Sequence, residues 1–498
     1  MKKMSLVFLF GFLAFVILRA AALFVIPPLD DGVVLLQMAD DIAHLRRFPI
    51  YFDQQEYMGA IECYFLAPFV RVFGSNFWAL EAAYGLFYLA FFALCVWTAQ
   101  RVFRGRLTLY VFLLLAILPF PALFFTTVIG YGEVLTFAMV SLVFLLRIMR
   151  KEEGGGGSAF FLGLVAGLSL WSNLIYVVWL LPLVGLLVFM APNSWRRGLP
   201  FLFSLGLLIG LVPVWIHGIQ TGRLMDISQG AGRGFASPEN LLRLFYLFFA
   251  RMKYFLSSFS FGNLPPAADL LFRLVSFFPF LVFAFSFLSL LFYFFRSGRQ
   301  IPLEEKAFYI FILVPPFVLL PLCISRNLIG DEGMRFFLPL LIPFVFAVAW
   351  QLARIRASFW RRGVLGGLLL IFLAGSVYSA RHELQETRER RELIQFLREH
   401  RLQAGIAEFG ITYSLNVLSG GELLVTPPWY NAAYRPVLHR VREAGPRFFI
   451  LGRGTVRFRK RLEADPRLQV AAVGRYDIFY GNSDLLRQFV TPGELMEE

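Results

Sequence analysis

Eleven apolar stretches, at residues 4–26, 76–98, 107–125, 133–149, 159–172, 174–191, 199–217, 270–295, 307–324, 336–352 and 363–380, decide what this chain can fold into. About 20 apolar residues in a helix cross a hydrocarbon core of roughly 30 Å. A helix also satisfies its own backbone hydrogen bonds, as lipid demands. With 58% hydrophobic and 16% charged residues and a mean hydropathy of +0.66, the 498 residues exclude a soluble multidomain protein. Charge is also unevenly spread, since 33 of the 80 charged residues fall in the last 118 positions. The reading is therefore a mainly α, polytopic membrane bundle of about eleven spans over residues 1–380, followed by a small soluble α/β domain over 381–498.

The loops orient this bundle. With the N-terminus in the cytoplasm, the inside segments carry Lys2 and Lys3; Arg101, Arg104 and Arg106; Arg147, Arg150 and Lys151; Arg196 and Arg197; Arg296, Arg299 and Lys306; and Arg354, Arg356, Arg361 and Arg362. Every inside loop is basic, as the positive-inside rule asks. Most of the net charge of +14 thereby becomes topological, which removes nucleic acid as the implied partner. Lys2, Lys3 and the apolar run to Ile26 read as an uncleaved first span rather than a signal peptide. The run from Ala159 to Ala191 lies between two basic loops, so it must cross twice, turning at Trp171-Ser172-Asn173. Eleven spans place the C-terminal domain outside, and the chain in the cell (inner) membrane. Residues 240–263 are nearly apolar enough for a further span. Arg251 and Lys253 at their centre would each cost roughly 2.5–3.5 kcal/mol at mid-bilayer, which favours an interfacial helix on the outer face. The three cysteines make no disulfide framework.

Unusual polar residues collect on the outer side. The first outer loop, residues 27–75, opens with Asp30-Asp31, where two readings stand: N-cap and first-turn acid of a short helix, or a carboxylate pair able to deprotonate a hydroxyl. On that helix Gln37, Asp41 and His44 share a face, while Val33, Val34 and Leu36 are expected to dip toward the membrane. Farther along stand Tyr57 and Glu62. Glu62, on an otherwise apolar helix, is expected to face a cavity or to pair with Arg71. Glu133 joins these outer-face acids at the start of its span. Nothing has the spacing of a zinc motif, although a loosely held Mg²⁺ or Mn²⁺ is chemically compatible with the carboxylates. Arg326 and Arg335 flank the loop between the ninth and tenth spans, either as partners of Asp331 and Glu332 or as a phosphate clamp. The loop over 218–269 reads as a flexible lid.

In the C-terminal domain, strands are expected at Gly405–Phe409, Phe448–Leu451 and Val473–Tyr480, after a helix that leaves the membrane. The aromatic segment TPPWYNAAYRP reads as a surface loop packed on the membrane domain, or as a ring-stacking platform for a sugar or acceptor.

Four stretches, in this order and on one side of the membrane, resemble the GT-C superfamily of integral-membrane glycosyltransferases. They are Asp30-Asp31, GAIECYFLAPFVRVFG, GLSLWSNLIYVVWLLP and MRFFLPLLIP. This class includes protein O-mannosyltransferases and lipid A aminoarabinose transferases. The resemblance implies a hexosyl or pentosyl transfer from a polyprenyl-phosphate donor to a glycan, lipid or protein acceptor, with inversion at the anomeric carbon and no cofactor required. It implies Asp30 as general base with Asp31 beside it, where many relatives carry Glu. It also makes Arg251, Lys253, Arg326 and Arg335 candidates for the donor phosphate, and Asp41, Tyr57, Glu62 and Glu133 candidates for the substrate lining. Phe336 replaces the Tyr that often follows the Arg, and Tyr57-Met58-Gly59 stands where some subfamilies have a His-Pro-Pro-like turn. Two alternatives remain: a flippase or transporter of lipid-linked sugars, and a lipid-linked glycan polymerase or ligase. A transporter would place ionisable residues near mid-bilayer and often shows related halves, neither of which is seen in this sequence.

Overall fold

The computed structural model describes residues 30–53, 55–103, 105–118, 131–150, 155–191, 198–223, 252, 255–256, 266–298, 300–323, 337–408, 410–428, 434–453, 455 and 458–491. In chain order the elements are α1 (Asp30–Ala43), β1 (Tyr51–Phe52), β2 (Gln55–Gly59), α2 (Ile61–Phe73), α3 (Phe77–Val102), α4 (Arg106–Ala116), α5 (Gly132–Met149), α6 (Gly155–Ser172), α7 (Val177–Gly185), α8 (Leu199–Gly210), α9 (Val212–Thr221), α10 (Pro266–Ser297), α11 (Leu303–Cys323), α12 (Leu341–Arg354) and α13 (Ser358–Glu399). There follow β3 (Ala404–Ala407), α14 (Thr412–Leu418), β4 (Leu424–Thr426), α15 (Arg435–Ala444), β5 (Phe448–Gly452), α16 (Arg459–Glu463), β6 (Leu468–Val473), β7 (Tyr476–Gly481) and α17 (Asp484–Gln488). The described residues form two compact units, one of residues 55–62 and 82–379 and one of residues 30–53, 63–81 and 380–498.

The first unit is the membrane bundle. Among the described residues six helices are long and apolar enough to cross a membrane, or seven if α8 and α9, bent by 53° at Leu211, make one broken span. These are the helices of a multi-pass membrane protein. The first expected span, 4–26, lies outside the described residues. On α10, Phe277, Leu281, Phe285, Leu288, Phe292 and Phe295 are exposed at helical spacing, an apolar stripe that lipid solvates and water would not. Basic residues sit at helix ends as the topology asks: Arg150 pairs with Glu304, and the Arg354 guanidinium lies 4.6 Å from the Tyr293 ring centroid and 4.5 Å from that of Trp350.

The sequence from Gly155 to Gly210 shows how glycine sets this packing. Gly163 and Gly167 on α6 face Gly206 and Gly210 on α8 so closely that a Cβ on Gly163 would stand 1.9 Å from the Phe203 carbonyl oxygen. One on Gly206 would stand 2.1 Å from the Phe160 oxygen. Both pairs are spaced small-xxx-small, the pattern that lets helix backbones touch in lipid. The register rises together, with Gly163 against Phe203 and Gly167 against Leu207, so α6 and α8 run parallel. The chain between them must therefore travel back along the helix axis. It begins that return at Asn173, whose side chain accepts from the Ile175 amide and starts a 3-10 turn, Leu174–Tyr176, before α7. This is the turn expected from the sequence.

The second unit joins α1 and most of α2 to the C-terminal residues. Its sheet has the order β4-β3-β5-β7-β6, with β3 parallel to both β4 and β5, and β7 antiparallel to β5 and β6. Leu393, Ile394 and Leu397 from the end of α13 pack with Leu415, Val425, Phe448, Ile450 and Ile478 into one core. The expected strand over 473–480 is instead the turn and second arm of a hairpin. Gly474 adopts φ +55 between β6 and β7, at the position a type II′ turn reserves for glycine. Likewise α13 is one continuous helix of 42 residues where the sequence suggested a span and a separate helix.

Candidate active site

The helix that carries the proposed base, α1, starts at Asp30, with Asp31 in its first turn, where carboxylates suit the helix dipole. Asp30 and Asp31 are thus on the first turn, as the sequence suggests; the Asp30 side chain lies outside the described residues. Val33, Val34 and Leu36 do not dip toward lipid. Each is 1% exposed or less within the protein, because Leu35, Met38 and Ala39 are buried too and α1 is enclosed on nearly every side.

Below this buried stretch, α1 ends in a charge knot. The chain turns through Leu45 in the left-handed region (φ +57), and the Arg46 amide donates 2.8 Å to the Asp41 carbonyl. That turn folds Arg46 and Arg47 back on the helix. Arg46 pairs with Asp40 and places its Nε 3.1 Å from Asp41 Oδ1, and Arg47 donates 2.7 Å to Asp53 Oδ2. The other oxygen of Asp41 accepts 3.0 Å from the Tyr434 hydroxyl, a residue 393 positions away, whose own amide donates to the Tyr413 hydroxyl. Both oxygens of Asp41 are therefore engaged. His44 turns back on Asp40, its Nδ1 2.9 Å from the Asp40 carbonyl oxygen.

Burial, followed by the Asp41 carboxylate, pushes the Tyr434 hydroxyl well above its ordinary pKa, so it stays a donor at physiological pH. Burial also raises the Asp53 carboxyl, with Arg47 pulling it back. A Tyr434→Phe variant is expected to lose about 1 kcal/mol of stability, read as a lowered melting temperature in detergent. An unchanged melting temperature would mean that the contact with Asp41 contributes nothing.

In the first unit a second cluster forms around Glu62 and Glu133. Gly59, at the end of β2, presses against Trp171 so tightly that a Cβ would sit 2.2 Å from the Trp171 carbonyl oxygen, and Met58 bridges to Asn173. That contact brings the start of α2 onto the end of α6. Glu62 and Glu133, 3% and 0% exposed, come together here, and the Ser172 hydroxyl donates to Glu133 Oε1. Glu62 thus meets Glu133, where the sequence offered a cavity or Arg71. Tyr57, on β2, donates 3.1 Å to Gln55 Oε1.

Of the sequence-selected residues the structure brings together Glu62 and Glu133. Arg251, Lys253, Arg326 and Arg335 lie outside the described residues, as does most of the lid and interfacial segment. Among the described residues no three His, Cys, Asp or Glu side chains converge as metal ligands. Sequence reasoning missed Tyr434, Ser172, Arg46, Arg47 and Asp53 as members of these clusters. The alternation of Asp40-Asp41, Arg46-Arg47 and Asp53 within a charge-poor region was a legible signal for three of them.

No protein-family model matches the chain, and no curated protein matches it by sequence. Among solved structures, ArnT from Cupriavidus metallidurans bound to undecaprenyl phosphate aligns with a TM-score of 0.64 at 12% identity, covering 96% of this chain and 98% of ArnT. The chain has the fold of ArnT. ArnT in the apo state aligns over the same shares of both chains, with a TM-score of 0.61 and 11% identity. The archaeal oligosaccharyltransferase AglB from Archaeoglobus fulgidus aligns over 89% of this chain and 69% of its own at a TM-score of 0.45, too low to equate their parts. Two of the stretches that suggested GT-C from sequence, GAIECYFLAPFVRVFG and GLSLWSNLIYVVWLLP, are the ones that meet at Gly59, Glu62, Trp171 and Ser172.

Proposed function

We propose that this chain is a membrane glycosyltransferase that moves a sugar from a polyprenyl phosphate to an acceptor on the outer face of the cytoplasmic membrane. The observation that carries this reading is the fold shared end to end with ArnT, a protein crystallised with undecaprenyl phosphate. Nucleotide sugars are cytoplasmic, so an outward-facing transferase needs a donor anchored in lipid. The acidic first turn of α1 supports the chemistry.

In the proposed reaction the Asp30 carboxylate takes the proton of an acceptor hydroxyl as its oxygen attacks the anomeric carbon. The bond from that carbon to the phosphate oxygen breaks on the opposite face, and the configuration inverts. Polyprenyl phosphate leaves carrying the electron pair, its charge met by the guanidinium and ammonium groups of Arg251, Lys253, Arg326 and Arg335. Asp31 shares the acidic turn, and Glu62, Glu133 and Tyr57 shape the substrate lining. In this reading residues 1–380 form the catalytic membrane domain, and residues 381–498 lie on the periplasmic or extracellular side.

Membranes containing the chain, supplied with polyprenyl phosphate carrying a radiolabelled sugar, test the reading. The expected result is label moved to an acceptor with release of polyprenyl phosphate. Label that crosses the bilayer still attached to its lipid identifies a flippase instead. Label that accumulates in growing lipid-linked chains identifies a polymerase.

A further inference from the structure

The C-terminal sheet has a topological switch point. After β3 the chain crosses through α14 to β4 on one side, and after β4 it crosses through α15 to β5 on the other side of β3. The chain thus leaves β3 toward β4 and leaves β5 toward the opposite, β7–β6 side, so a crevice opens outside the carboxyl ends of β3 and β5, the place where open α/β sheets bind ligands. A cavity of about 410 Å³ occupies that position, within the range of small-molecule sites. Glu408 and Gly410 follow β3, Gly452 and Arg453 end β5, Arg475 lies in the β6–β7 turn, and Glu386 and Arg390 come from α13.

The charges of this cavity are nearly all spent on one another. Arg475 donates 2.7 Å to Glu386, Arg390 lies 3.5 Å from the same carboxylate, and Arg453 lies 3.5 Å from Asp477. Glu408 is different. Its Oε2 accepts 3.1 Å from the Gly452 amide, and among the described residues no cation pairs with it. Arg390 is only 6% exposed, yet its Nε has no hydrogen-bond partner although it lines the cavity. A buried donor left without a partner costs on the order of 1–3 kcal/mol in a finished structure.

We infer that this crevice binds a saccharide unit, whose adjacent hydroxyls donate to Glu408 and accept from Arg390 and Arg453. A phosphate is the wrong shape of charge here, because the guanidiniums are already neutralised and the unpaired group is a carboxylate. Vicinal hydroxyls suit a crevice that offers acceptor and donor side by side, since each hydroxyl can donate and accept at once. The inference does not rest on the transferase reading, as none of these residues belongs to the proposed catalytic machinery.

Saturation-transfer NMR on the full chain in amphipol, free of sugar-based detergent, tests it with the methyl glycosides of glucose, galactose and mannose. At least one is expected to receive saturation, weakened about tenfold in Arg453→Ala, where a charged hydrogen-bond donor is removed. Glu408→Gln, which keeps an acceptor for the Gly452 amide, is expected to weaken it too. Arg398→Ala, altering a residue paired with Glu422, should leave it unchanged. Melting temperatures confirm that each variant is folded. No transfer to any of the three sugars overturns the inference, and so does a signal equally strong in Arg453→Ala and Glu408→Gln, which would belong to another site. Displacement by millimolar inorganic phosphate or putrescine would identify a charge site and overturn it likewise. Radiolabelled transfer from polyprenyl phosphate is expected to persist in Arg453→Ala, so loss of sugar binding and failure of the transferase reading are separate results.

Discussion

An Asp30→Asn variant is expected to lose sugar transfer by about two to four orders of magnitude, the usual contribution of a positioned general base. Asparagine keeps the size of the side chain and can still accept a hydrogen bond at the helix start. What it removes is the basic, charged carboxylate that takes the acceptor proton. The same change at Asp31 is expected to cost less, since a neighbouring carboxylate acts mainly by its charge. The discriminating measurement is the rate of label transfer in membranes at matched protein level, with binding of polyprenyl phosphate measured alongside. Near-normal transfer by Asp30→Asn would remove Asp30 from the reaction. Lost transfer together with lost lipid binding would instead point to a folding or binding defect.

The second large effect concerns folding rather than chemistry. Gly206→Val is expected to destabilise the bundle by more than about 3 kcal/mol, above the usual overpacking range. The reason is that the added Cβ would stand 2.1 Å from the carbonyl oxygen of Phe160, a backbone atom that cannot rotate away. Gly163→Val meets the Phe203 oxygen from the other side and should behave alike. Gly157→Ala is the control: a Cβ there meets nothing within 4 Å, and alanine is the better helix former. The readout is the fraction of protein recovered as a single folded species after detergent extraction. Wild-type recovery of Gly206→Val would show that α6 and α8 separate at little cost.

The long apolar helices of the bundle and the α/β character of the C-terminal residues were legible because they rest on periodicity, a property of neighbouring residues. The turn at Trp171-Ser172-Asn173 was legible for a similar local reason, being forced by two basic loops around an overlong apolar run. What escaped is what the chain brings together from afar. Glu62 and Glu133 are 71 positions apart and on different helices, so Arg71, on the same helix as Glu62, looked the better partner. Tyr434 was visible only as one aromatic residue in a turn-rich segment; its hydrogen bond to Asp41 depends on packing that no local pattern encodes. Val473–Tyr480 read as one strand because its apolar residues run through Gly474, whose positive φ divides them. The glycines of α6 and α8 were available as two small-xxx-small patterns, yet the pairing of one with the other needed the register.

That register bears on how the protein is made. Because α6 and α8 are parallel, they cannot zip together as a hairpin while emerging from the ribosome. The returning segment after Asn173 has to be threaded back first, and the contact closes only once Gly210 has been synthesised. At about 5–20 residues per second, the glycine face of α6 waits several seconds for its mate. During that interval it must be shielded by lipid or by the insertion machinery. Variants that slow translation between residues 173 and 210 should lengthen the wait without altering the finished protein.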